Sequence, residues 1–288
     1  MHRNSLVEQI KIKKSYLCVG LDTDFDKIPK HLQQNKNAIV DFNKEIIDAT
    51  KEYCVSYKLN TAFYEALGSK GWDAMEETVN YIPSTHFKIA DAKRGDIGNT
   101  SSQYAKAFFE TLKFDAITVA PYMGEDSIRP FLEYEDKWTI VLGLTSNKGA
   151  NDFEMLKVND LVREDTNQGS VREDTNQDGK KLYETVIEKV SKWGNENNLM
   201  FVTGATQASE LENIRKYIPN NFLLVPGVGF QGGSLAEVSK YGMNKNCGLL
   251  VNASRAIIYA GSGENFASEA AEIAKQYQNE MEQYLLQS

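Results

Sequence analysis

Eight short apolar runs, each followed by a longer stretch with helical spacing, leave this chain few folds to adopt. The runs are Tyr16–Leu21, Val55–Leu59, His86–Ala90, Ala116–Ala120, Trp138–Leu144, Leu199–Val202, Phe222–Val225 and Gly248–Val251. They are nearly continuous in apolar residues, as strands buried on both faces of a parallel sheet must be. Between and after them lie helical patterns at Ala38–Tyr53, Gly71–Ile82, Thr100–Leu112, Glu125–Leu132, Lys180–Trp193, Ala208–Tyr217, Ser234–Tyr241 and Glu264–Leu286. In the first, Ile39, Phe42, Ile46 and Ile47 form the apolar stripe; in the second, Trp72, Met75 and Val79 do. An open, doubly wound sheet would also alternate in this way. Eight βα units within 288 residues favour an α/β fold of the (β/α)₈ barrel type.

No linker rich in Pro, Gly and Ser interrupts the alternation, so residues 1–288 are expected to form one domain. One segment stands apart. Val162–Gln168 recurs verbatim as Val171–Gln177, polar throughout and without apolar periodicity. Two copies cannot build a solenoid. The stretch at about 157–179 is expected to be a duplicated loop insertion, where extra length costs little.

Charge and cysteine content narrow the function. The formal net charge is −8, which disfavours nucleic acid as a partner. It does not forbid an anionic small molecule, because a local cluster of Lys and Arg focuses the field in a cleft. The N-terminal residues lack the apolar core of a signal peptide, and no apolar run approaches the ~18–20 residues that span a bilayer. A soluble, cytoplasmic protein without membrane contact is expected. Cys18, Cys54 and Cys247 are odd in number and share no CxxC spacing, so they read as buried free thiols, with Cys18 and Cys247 in strands. No metal site is expected from them.

In a barrel, residues at the C-terminal ends of the strands face one pocket. Those ends carry Asp22, Lys58 with Asn60, Asp91 with Lys93, Thr145 with Ser146, Gly204, Pro226–Gly229 and Asn252–Arg255. A structural ion-pair network is the bland account of the charges. Charge at three successive strand tips argues for a site instead. On the third strand, alternation sends Ile89, Asp91 and Lys93 to one side and Lys88, Ala90 and Ala92 to the other. Asp96 follows on a turn. An Asp beside a Lys holds the ammonium charged, which suits chemistry in which negative charge grows on carbon and is then protonated. After the seventh run, Val225–Gly233 is glycine-rich and precedes a helix. Ser254 and Arg255 follow the eighth. Ordinary tight turns would explain the glycines alone, but loops after strands seven and eight are where barrels bind phosphate.

These residues carry a resemblance. Asp91-Ala92-Lys93-Arg94-Gly95-Asp96-Ile97 looks like the signature of the orotidine 5′-phosphate decarboxylase family. Val19–Asp22, Tyr57–Asn60, Thr145–Asn147, Gly204–Thr206, Pro226–Gly229 and Ser254-Arg255 match in order and spacing, from about Ser15 to Ala260. The spacing resembles the longer bacterial, type 2 subgroup. The duplicated stretch aligns with no family motif.

The resemblance implies conversion of orotidine 5′-monophosphate (OMP) to uridine 5′-monophosphate (UMP) and carbon dioxide, with no metal and no organic cofactor. It makes Lys93 the proton donor to C6, in a charge network with Asp91 and Lys58. Asp96 would come from a neighbouring subunit, giving a homodimer with shared active sites. Asp22 and Lys58 would meet the ribose, with Asn60 beside them and Thr100 of the second copy nearby. Thr145 or Ser146 would meet the pyrimidine edge; Gly227, Gln231, Ser254 and Arg255 would form the phosphate site. Two other readings stay open. One is a related barrel acting on sugar phosphates, which shares Asp-x-Lys-x-x-Asp but stabilises an enediolate with magnesium. The other is a non-catalytic binding barrel that uses the duplicated loop as its surface.

Overall fold

Each apolar run pairs in parallel with its neighbours, and the last returns to the first. The computed structural model describes residues 1–158, 179–229 and 232–287. In chain order, α1 (Arg3–Lys13) leads into β1 (Leu17–Gly20), α2 (Ala38–Thr50), β2 (Ser56–Asn60), α3 (Thr61–Glu65), α4 (Ser69–Tyr81) and β3 (Phe87–Arg94). Then come α5 (Gly98–Lys106), continued by a π-helical turn at Ala107–Thr111, β4 (Ala116–Val119), α6 (Glu125–Leu132), β5 (Trp138–Leu144), α7 (Ala150–Phe153) and β6 (Lys157–Val158). The remainder is β7 (Lys180–Lys181), α8 (Leu182–Val190), β8 (Leu199–Thr203), α9 (Ala208–Tyr217), β9 (Leu223–Pro226), α10 (Leu235–Gly242), β10 (Leu249–Ala253), α11 (Arg255–Ile258) and α12 (Phe266–Leu285).

Eight of the strands close into a barrel in the order β1-β10-β9-β8-β5-β4-β3-β2, all parallel. The expected (β/α)₈ architecture is therefore what forms. Every residue of β1, β4, β8 and β10 is buried, which is why these strands read as unbroken apolar runs. The outer ring closes in the same way as the inner one. Phe42 of α2 stacks on Phe266 of α12, ring centroids 5.1 Å apart. Burying a side chain such as Phe42 contributes about 1.5–3 kcal/mol.

The expected stripe of α2 is buried throughout, whereas α4 departs from expectation. Met75 and Val79 are buried, but Trp72 is 36% exposed and leans on Phe108, 6.2 Å between ring centroids. A ring of that size lies over a helix–helix seam more readily than inside it. Cys247 is buried but sits in a turn with φ +66° before β10, not in a strand. Burial pushes the thiols of Cys18 and Cys247 up to about 12 and that of Cys54 up to about 11, so all three are inert at neutral pH.

α1 had no clear apolar periodicity to announce it. It covers the floor of the barrel, where buried Arg3 donates to the carbonyls of Glu196 and Asn220, both at 2.7 Å, and lies over the Phe222 ring. The duplicated stretch falls almost wholly within 159–178, outside the described residues. β6 and β7 flank it and pair antiparallel.

Candidate active site

The alternation expected of the third strand holds as far as Asp91, and the second strand alternates beside it. Outward-facing Tyr57 bonds to Thr50 and to the Ile47 carbonyl of α2, and outward-facing Lys88 reaches the Val79 carbonyl of α4 at 2.9 Å. Lys58 and Asp91, on the opposite faces of those strands, meet inside the barrel mouth. The Lys58 ammonium donates to Asp91 Oδ2 at 3.0 Å and to Asp22 Oδ1 at 3.3 Å. The Lys93 ammonium donates to Asp91 Oδ1 at 2.5 Å.

Asp22, Lys58, Asp91 and Lys93 thus form a chain of alternating sign. Burial alone would drive the Lys58 ammonium towards its neutral form, but the two carboxylates outweigh it and hold its pKa above the ordinary lysine range. Burial would likewise raise Asp91, yet Lys58 and Lys93 bring it well below the usual carboxylate range. The inner pair is shielded, whereas the side chain of Lys93 is 52% exposed. It is the member most open to solvent.

The strand pattern ends at Lys93, and the cause is local. Pairing of β3 with β4 runs through Ile89 and Ala90, then resumes only at Arg94, opposite Val119. Within this bulge Lys93 adopts φ +47°, a left-handed conformation that costs an L-residue roughly 1–2 kcal/mol. Thr118 of β4 holds it there. The Thr118 hydroxyl accepts from the Lys93 N–H at 2.9 Å and donates to Asp91 Oδ1 at 3.1 Å. Sequence reasoning missed Thr118, because a threonine inside an apolar strand looks like ordinary β-branched filling.

Asp96 lies apart from the charge chain. Its carboxylate accepts the Ile97 N–H at 2.8 Å, and among the described residues it forms no ion pair. Ile97 beside it is 58% exposed, and Tyr122 and Met123, on the loop after β4, are 95% and 47% exposed. Thr100, in the first turn of α5, is also exposed.

A cleft of about 180 Å³ opens beside the charge chain. It brings together Asp22, Lys58, Asn60, Asp91, Gly227, Ser254 and Arg255. Asn60 also caps α3, its Oδ1 accepting from the Ala62 N–H at 3.3 Å. Gly20 allows Ser254 into the cleft, since a Cβ there would lie 1.9 Å from the Ser254 hydroxyl oxygen. Gly227 turns the chain after β9 with φ +97°. The glycine-rich turn after β9 is partly closed on itself. The N–H groups of Gly232 and Gly233 are taken up by the carbonyls of Gly229 and Gly227, and Ser234 caps α10. The cleft is lined instead by 226–228 and by 252–256 at the start of α11. Gln231 lies outside the described residues.

Thr145 and Ser146 do not line this cleft. The Thr145 hydroxyl lies 2.8 Å from Glu154 Oε1 and 2.7 Å from Asn147 Oδ1, either of which can take its one proton, while its N–H donates to Glu154 Oε2 at 2.7 Å. Ser146 packs against Gly204, where a Cβ would come within 2.5 Å of the Ser146 Cα. Among the described residues no group of three or more His, Cys, Asp or Glu is placed to hold a metal ion. Among them, too, no helix is long and apolar enough to cross a membrane.

Comparison with known proteins gives concordant results. The sequence pattern of the family described as "Orotidine 5'-phosphate decarboxylase / HUMPS family" matches residues 15–270. The chain is 56% identical over 290 residues to the orotidine 5′-phosphate decarboxylase of Phocaeicola vulgatus, covering 100% of both chains. It is 55% identical to that of Bacteroides fragilis, over 99% of this chain and 98% of the relative. Among solved structures, the OMP decarboxylase of Leishmania donovani superposes with a TM-score of 0.78 at 35% identity, covering 97% of this chain and 98% of the other.

Proposed function

The chain belongs to the orotidine 5′-phosphate decarboxylase family, and from that premise we propose that it converts OMP to UMP and carbon dioxide with Lys93 as the proton donor. The observation that carries the assignment of roles is the alternating chain Asp22–Lys58–Asp91–Lys93, whose one half-exposed member is an ammonium. The C6–carboxylate bond breaks, the electron pair remains on C6, and carbon dioxide leaves. The Lys93 ammonium stabilises that pair and transfers a proton to it; solvent then reprotonates the amine. At 4 Å and an effective dielectric of 20, such a charge pair is worth ~4 kcal/mol, about a thousandfold in rate. That is not enough for a very slow reaction. Binding energy from the distant phosphate must also be used to hold the ring against Lys93.

The other residues divide by position. Asp22, Lys58 and Asn60 take the ribose, and Gly227, Ser254 and Arg255 the phosphate, with Gln231 added from the family resemblance. Thr145 or Ser146, both on the loop after β5, takes the pyrimidine edge. Thr118 holds Asp91 and the Lys93 backbone in register. Thr118→Val is expected to lower kcat roughly tenfold, the effect of losing one hydrogen bond to a charged group, with KM little changed. Steady-state kinetics on OMP would check this.

The active unit is a homodimer in this reading. Support comes from Asp96, which has no ion-pair partner among the described residues, and from exposed apolar side chains at the same end of the barrel, Ile97 after β3 and Tyr122 and Met123 after β4. A second copy would cover that apolar surface and bring its Asp96 and Thr100 to the site. The buried free thiols suit a reducing, cytoplasmic setting.

The magnesium-dependent reading is disfavoured by Lys58. Its ammonium bridges Asp22 and Asp91, in the position where a cation shared by those carboxylates would sit. The expected result is loss of OMP absorbance at an unchanged rate in excess EDTA. A requirement for added magnesium would overturn this reading.

A further inference from the structure

We propose that Arg94 is a positioning residue for Lys93, acting with Glu65 as a clamp on the outer side of the barrel. Arg94 follows Lys93 directly, but its side chain points the other way, out towards the helices. Three contacts fix it. Its guanidinium pairs with Glu65, Nη1 donates to the Ala92 carbonyl at 3.3 Å, and the cation lies 5.3 Å from the Tyr104 ring centroid and 5.4 Å from that of Phe108. The side chains of Arg94 and Glu65 are only 20% and 31% exposed, so solvent screens the pair incompletely.

The placement of these contacts gives them a role. Ala92 lies in the bulge where β3 leaves register with β4, one residue before the left-handed Lys93. Arg94 therefore secures the bulge from outside at Ala92, while Thr118 secures it from inside at the Lys93 N–H. Glu65 ends α3, which begins directly after β2, the strand that carries Lys58. The Arg94–Glu65 pair thus ties the tip of the Lys58 strand to the tip of the Asp91–Lys93 strand. Phe108, in the π-helical turn after α5, supplies part of the seat. A planar guanidinium can donate, pair and stack at once, which an ammonium cannot. The clamp sets where Lys93 stands without touching the substrate.

This inference rests on the decarboxylase reading, and its test separates the two. Arg94→Met keeps the length and apolar packing over Tyr104 and Phe108 but removes every donor. Its kcat for OMP is expected to fall about tenfold or more, with KM for OMP and Kd for UMP within twofold of wild type. Arg94→Lys keeps the charge opposite Glu65 and is expected to recover part of kcat. Circular dichroism and the melting temperature report whether each variant is folded at the assay temperature. A folded Arg94→Met enzyme with kcat within twofold of wild type would overturn the clamp. So would a loss of kcat matched by an equal loss of UMP binding, because that pattern marks general damage. Failure of the wild-type protein to decarboxylate OMP would instead overturn the functional reading.

Discussion

Lys93→Ala is expected to reduce OMP turnover to below about one-thousandth of the wild-type rate while leaving the protein folded. The rate prediction combines two losses. Removing the ammonium removes ~4 kcal/mol of attraction for the developing carbanion. It also removes the proton donor, a role worth typically 10²–10⁴-fold. The stability prediction follows from exposure and partners. The Lys93 side chain is 52% exposed, and Asp91 keeps Lys58 and Thr118 when it is gone. No buried carboxylate is left alone, and alanine inherits the left-handed backbone at no greater steric cost than lysine. Single-turnover kinetics alongside a thermal melt would check both halves. Turnover near the wild-type rate would remove Lys93 from the mechanism.

Mixing two inactive chains, Lys93→Ala and Asp96→Ala, is expected to restore about one quarter of wild-type activity. The argument is one of symmetry. If each site takes Lys93 from one copy and Asp96 from the other, a mixed dimer has one site lacking both groups and one with both intact. Random exchange of equal amounts makes half the dimers mixed, so about a quarter of all sites are native. If each chain supplied its own Asp96, mixing would restore nothing. The assay needs independent proof that subunits exchange, for instance by native mass spectrometry of differently tagged chains. Given that proof, absence of recovery would refute the shared site.

Much of the architecture was legible in the sequence because burial on both faces writes itself as unbroken apolar runs. β5, α6 and α9 form over the residues where periodicity placed them. The site was legible for a related reason. Charged residues at the ends of such runs have few places to go but the barrel mouth, and Asp22, Lys58 and Asp91 meet there. What periodicity could not show was backbone irregularity. The bulge at Asp91–Lys93 turns Lys93 out of the strand pattern, and nothing in the side-chain alternation marks where it begins. Thr118 and Arg94 act on that bulge, so their roles emerge only once it is seen. Trp72 was misjudged because an apolar stripe does not distinguish the buried centre of a helix face from its edge. α1 escaped notice because its buried apolar residues, Leu6 and Ile10, are few, and its hold on the barrel floor also runs through Arg3.

The alternating order of Asp22, Lys58, Asp91 and Lys93 has a consequence for how such a site can drift over generations. Each inner charge is neutralised by the ones beside it. Replacing Lys58 alone would strand Asp91 and Asp22 with one counter-charge at Lys93, and replacing Asp91 alone would bury an ammonium beside a single carboxylate. Breaking a buried pair from one side costs about 3–5 kcal/mol, a large share of the 5–15 kcal/mol that keeps a domain folded. Single replacements are therefore penalised in the fold before they are tested in the reaction. Lys58 and Asp91 are coupled through the bond they share, so the cost of changing both is expected to differ from the sum of the two single changes.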